Sequence, residues 1–219
     1  MRTSAKLGLT ALIAAMLLAS ALSTASARRL EVSNQGFLVS WSRLEFQASF
    51  GSVRCQVTLD GSFHSRTIPK VERLLIGHIT QVIIKKESCT GGEALIEGRG
   101  QTLPWHVTYE SFTGTLPSIT SVSLLLRGAL FRINVTAIGL ICLYGLATDN
   151  ITGRANLNAA GEVTTLQPVA GRNAASLLEG INPGELFGCP RSGNLVAAAE
   201  DGIVRVLNAW TTTIRIRLI

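Results

Sequence analysis

The feature that most limits what this chain can fold into is a strict alternation of apolar and polar residues around one glycine. Leu44, Phe46, Ala48 and Phe50 alternate with Arg43, Glu45, Gln47 and Ser49. Val53, Cys55, Val57 and Leu59 then alternate with Arg54, Gln56, Thr58 and Asp60. A period of two places one set on one face of a β-strand and the other on the opposite face, so both runs are half-buried strands. Gly51-Ser52 lies between them and suits a two-residue hairpin turn. That turn pairs Phe50 with Val53, Ala48 with Cys55, Phe46 with Val57 and Leu44 with Leu59, all apolar on one face.

The same period recurs downstream. Asp60-Gly61 opens the next turn, and His78 to Lys86 reads as an Ile- and Val-rich strand ending at Cys89, with a short strand from Glu93 to Glu97. Leu103, Trp105, Val107 and Tyr109 alternate with Pro104, His106, Thr108 and Glu110. The apolar phase slips by one residue beside Gly128, which reads as a β-bulge. Ile138 to Leu146 is apolar on both faces and reads as a central strand. The segment 148–193 has little pattern. Trp210 to Leu218 alternates to the end of the chain, and Trp105 and Trp210, each on the apolar phase of its own strand, read as core. One departure stands out: Pro69 followed by Val71, Leu74 and Leu75 at helical spacing, with Gly77 as a stop, predicts a short helix over 69–76. Many short strands with frequent Gly turns specify an all-β class, an antiparallel β-sandwich or barrel.

The first 27 residues stand apart. Arg2 and Lys6 precede an apolar run from Leu7 to Leu22, and Ala25-Ser26-Ala27 is an A-x-A cleavage site, the pattern of a secretory signal peptide over 1–27. The run is shorter than the roughly 20 residues of a spanning helix. Residues 28–219 are then one all-β domain, with 18 basic against 14 acidic side chains. The basic residues are scattered, Arg28-Arg29 and Lys85-Lys86 being the adjacent pairs, so no nucleic-acid partner is expected.

The four cysteines Cys55, Cys89, Cys142 and Cys189 all lie beyond the leader. An even count in an oxidising compartment predicts two disulfides, with three connectivities open. Cys55–Cys89 with Cys142–Cys189 is favoured, because each pair joins a strand-like run to a turn-rich one. The absence of a C-x-x-C motif, and of a histidine near any cysteine in sequence, argues against a cysteine metal site.

Chemistry is sparse. His106, Thr108 and Glu110 share the polar phase of one strand, where residues two apart stand about 7 Å from each other and residues four apart about 13 Å. They read as a solvent-facing polar side. His64 and His78 fall in separate elements, so the spacing does not support a three-histidine metal site. No G-x-S-x-G occurs, Glu93 and Glu97 read as the solvated ends of a strand, and no catalytic residue, metal or cofactor is assigned.

Two segments, Leu103 to Tyr109 (Leu-Pro-Trp-His-Val-Thr-Tyr) continuing to Pro117, and Thr211 to Ile219, make the chain similar to a group of small exported bacterial all-β proteins of unassigned function. The resemblance runs through most of the mature chain. It implies a bacterial, extracytoplasmic β protein and carries no catalytic residue across. The expected role is a binding or cell-envelope structural module, whether released or envelope-bound, of unspecified oligomeric state. Two rivals remain: an extracytoplasmic, hydrolase-like enzyme, marked by a histidine meeting an acid in a pocket, and a membrane-associated β-barrel, marked by an outward apolar band about 25 Å tall.

Overall fold

The computed structural model describes residues 29–49, 51–96, 103–115, 118–136, 139–145, 151–169, 177–180, 189–190 and 192–219. The proposed leader lies outside the described residues, as do Phe50 and Glu97. The described residues contain sixteen strands and no helix: β1 Arg29–Val32, β2 Gly36–Ala48, β3 Gly51–Phe63, β4 Thr67–Pro69, β5 Leu75–Thr90, β6 Gly92–Ile96, β7 Trp105–Thr115, β8 Ser118–Arg127, β9 Leu130–Val135, β10 Leu140–Gly145, β11 Ile151–Leu157, β12 Val163–Val169, β13 Leu177–Gly180, β14 Ser192–Ala197, β15 Ile203–Val206 and β16 Ile216–Leu218.

Eight antiparallel strands close into a barrel in the order β2-β3-β5-β7-β8-β11-β12-β15, with β15 pairing back onto β2. A second row, β14-β13-β10-β9-β6, departs from the same β2. The division falls within β2 itself. Phe37 to Ser40 pair with β15 and Leu44 to Gln47 pair with β14. A bulge at Ser42 and Arg43 separates the two halves, because the β3 partner moves from Val57 opposite Trp41 to Cys55 opposite Leu44. A small sheet, β16-β1-β4, lies outside this system, with Glu31 paired to Arg217.

The barrel wall is polarised inside-out relative to a transmembrane barrel. Val39, Trp41, Val57, Leu59, Ile79, Trp105 and Val107 are buried, while the alternate positions carry groups such as Ser40 and Thr58, whose hydroxyls lie 3.1 Å apart across β2 and β3. One hydrophobic cluster runs from the barrel into the second row, reaching Phe131, Ile133, Cys142 and Tyr144.

Both disulfides join the expected partners. Cys55–Cys89 ties β3 to the end of β5, and Cys142–Cys189 ties β10 to the segment preceding β14. Other expectations are corrected. The predicted helix over 69–76 does not form: Arg73 takes φ 63°, its N–H donates to the Tyr109 carbonyl at 2.7 Å, and the Tyr109 N–H donates to Leu74 at 3.0 Å. Backbone groups that a helix would pair internally are used by β7, and Val71, Leu74 and Leu75 remain exposed.

The first hairpin keeps its faces but not its register. Phe46 lies opposite Val53 and Leu44 opposite Cys55, with Ala48 opposite Gly51. A slip by an even number of residues preserves which side chains point inward, and this register brings Arg54 within 2.9 Å of Glu45. Asp60-Gly61 is not a turn. β3 runs through it to Phe63, and Gly61 is required because a Cβ there would stand 2.5 Å from the His78 carbonyl oxygen and 2.6 Å from the Phe37 ring. Gly128 marks the end of β8 rather than a bulge, and β9 beyond it belongs to the second row. Trp210 is 71% exposed. It sits in a turn closed by hydrogen bonds among Val206, Ala209 and Thr212, which leaves only Ile216 to Leu218 as strand.

Candidate functional site

The barrel interior is not completely filled. A cavity of about 90 Å³ is lined by apolar side chains, among them Phe37, Leu59, Trp105, Leu124, Phe131 and Leu166. An apolar void of this size costs about 2 kcal/mol through lost packing, and it is apolar enough to stay dry. Two indoles border it, with different hydrogen-bonding states. Trp41 Nε1 donates to the Leu166 carbonyl at 3.0 Å. Trp105 is fully buried, its ring 5.4 Å from that of Phe131, yet its Nε1 has no acceptor. A buried donor without a partner costs about 1–3 kcal/mol, so the Trp105 indole, one of the residues bordering the cavity, carries one unmet polar demand.

Asp201, in the turn between β14 and β15, holds the β2 bulge that shapes one side of this barrel. Its carboxylate accepts from the Ser42 and Arg43 N–H groups at 2.8 Å each, from the Ser42 hydroxyl at 3.0 Å and from the Gly202 N–H at 2.9 Å. Burial pushes this carboxyl up, but the four donors outweigh burial and hold it below its ordinary value.

On the outer wall the pairing of β3, β5 and β7 does what sequence spacing did not suggest. His78 lies directly opposite His106 and, on its other side, opposite Ser62. His64 follows the end of β3. Its Nε2 is 3.2 Å from His78 Nδ1 and 3.1 Å from His78 Nε2, and the rings of His78 and His106 are 6.1 Å apart. The three histidines therefore form one row, which ends at Arg127 opposite His106. Partial burial, then the charges of His64 and His106, hold His78 below its ordinary value, so its ring stays neutral to lower pH. Among the described residues no set of three histidine, cysteine or carboxylate ligands is already gathered for a metal ion.

The polar triplet of β7 does not act as one face. His106 is exposed and meets His78, whereas Thr108 is buried and its hydroxyl is 3.4 Å from the Leu125 carbonyl. Glu110 is the extra residue of a bulge, since Tyr109 pairs with Leu124 and Ser111 with Ser123. It faces a shallow hollow shared with Lys70, Glu72 and Phe112. Alternation puts Trp105 in the core, where it lies, but an unpaired indole N–H has no sequence signal. No family model matches this chain, nor does any curated protein or solved structure.

Proposed function

We propose that this chain is an exported bacterial protein, released or held in the cell envelope, whose barrel binds a small apolar molecule bearing one hydrogen-bond acceptor. The observation that carries this reading is the unpaired Trp105 N–H beside an apolar lumen. An eight-stranded barrel has an interior wide enough either to be filled by side chains or to hold one small ligand. Here a carbonyl or ether oxygen satisfies the indole while the rest of the molecule fills the void, which recovers both penalties at once. The two disulfides fit an oxidising, extracytoplasmic compartment, and the signal-like leader supplies the route there.

The test uses a matched pair of probes, cyclohexanone and the hydrocarbon methylenecyclohexane, titrated into the mature protein while the indole N–H resonances are followed by NMR. The Trp105 resonance should shift saturably with the ketone, and the ketone should bind more tightly. Trp105→Phe should abolish that preference, and Leu124→Phe should block both probes in a folded protein. Absence of any saturable response at Trp105 in the wild-type chain, or an unchanged ketone preference in folded Trp105→Phe, would sink this reading.

A further inference from the structure

We propose that His64, His78 and His106 form a surface site for a divalent first-row metal ion of the zinc or copper type, separate from the barrel lumen. Imidazole nitrogen is a preferred ligand for these ions. Two nitrogens bound to one tetrahedral zinc at about 2.0–2.1 Å stand roughly 3.4 Å apart. The Nε2 atoms of His64 and His78 are 3.1 Å apart before any ion arrives. That pair is thus nearly at ligand spacing.

The third ligand comes from β7. His106 is opposite His78 in the antiparallel pairing, and residues so placed have Cβ atoms about 4.5–5.5 Å apart on one face. Three rings converging on one tetrahedral ion have centroids about 5 Å apart, by the same bond lengths. The present 6.1 Å separation closes by side-chain rotation of His106, which is exposed and free to turn. The ion completes the set, and solvent fills the fourth position. Neutral rings are what a metal requires, so the ion competes with protons for these nitrogens. Strand alternation puts Ile79, Trp105 and Val107 on the lumen side and these histidines on the opposite side, so the site and the lumen are loaded independently.

The experiment is zinc titration of the mature chain with any affinity tag removed, by calorimetry and by competition with a chromogenic chelator, repeated with copper and its electron paramagnetic resonance spectrum. One ion per chain, nitrogen couplings on copper, and weakening by about tenfold or more in both His78→Gln and His106→Gln are the expected results. Affinity should fall as the pH drops through the histidine range. Trp105→Phe should bind zinc like the parent, which separates this site from the lumen. No stoichiometric binding overturns the proposal, as does unchanged affinity in His78→Gln or His106→Gln. Thermal unfolding of each variant without metal confirms that it is folded, and His64→Gln gives the same comparison should either of the others fail to fold.

Discussion

Asp201 and Phe46 show what single side chains do for this fold. The Asp201 carboxylate is the acceptor for three backbone N–H groups and one hydroxyl, so Asp201→Ala leaves buried donors at the bulge without partners. A loss of about 3 kcal/mol or more is expected in urea unfolding, with Asp201→Asn losing less because one acceptor oxygen survives. The carboxyl is held below its ordinary value of 3.8. Its contribution is therefore complete above that value and is lost as the pH falls through the depressed folded value. The acid limb of the stability curve should flatten in Asp201→Asn, and an unaltered limb would remove Asp201 from the account. Phe46 is buried, with its ring 4.4 Å from that of Tyr144, while Gln47 is exposed. Phe46→Ala should cost about 3–5 kcal/mol and Gln47→Ala little. Equal losses would mean the face assignment of β2 is wrong.

At the scale of elements, the two disulfides fix different parts of the molecule. Cys55–Cys89 closes a separation of 34 residues where the β5 partner of β3 jumps from Lys85 to Thr90. Cys142–Cys189 closes 47 residues and ties only the second row. Chain entropy gives about 4 kcal/mol for each. Hydrogen exchange should tell them apart. Replacing Cys142 and Cys189 with alanine should speed exchange in β9, β10 and β14 while the barrel strands β7, β8 and β11 stay protected. Uniform acceleration through both would show that the barrel and the second row open together.

For the whole molecule, barrel closure depends on the short β15, which pairs with β12 at one residue and with β2 over four. Gly202 is the corner that lets it do so. It sits at φ +75°, and a Cβ there would lie 2.1 Å from the Leu166 carbonyl oxygen and 2.5 Å from Trp41 Nε1. Alanine would push against backbone on one side and the Trp41–Leu166 hydrogen bond on the other. Gly202→Ala should cost at least as much as a large core truncation, about 3 kcal/mol. It should also alter the Trp41 indole resonance in whatever fraction remains folded. A variant as stable as the parent would mean that the seam does not close at this corner.

The sequence by itself determined the strand faces, because a period of two is a local property that the four-residue shift of the hairpin partners, an even number, leaves intact. Phe46, Val53, Cys55, Val57, Trp105 and Val107 are buried as the alternation requires. The disulfide partners were legible because each bond joins a strand-like run to a turn-rich one, a contrast visible in composition alone. What pairs with what was not legible. The helical spacing of Val71, Leu74 and Leu75 is real, but β7 takes up the backbone groups around them. Trp210 is in phase with a strand, but its backbone is spent in a turn. The histidine row arises because β5 lies between β3 and β7 in one particular register, and the lumen because eight strands close around more space than their side chains fill. Both depend on contacts between segments far apart in the chain, where local periodicity carries no information.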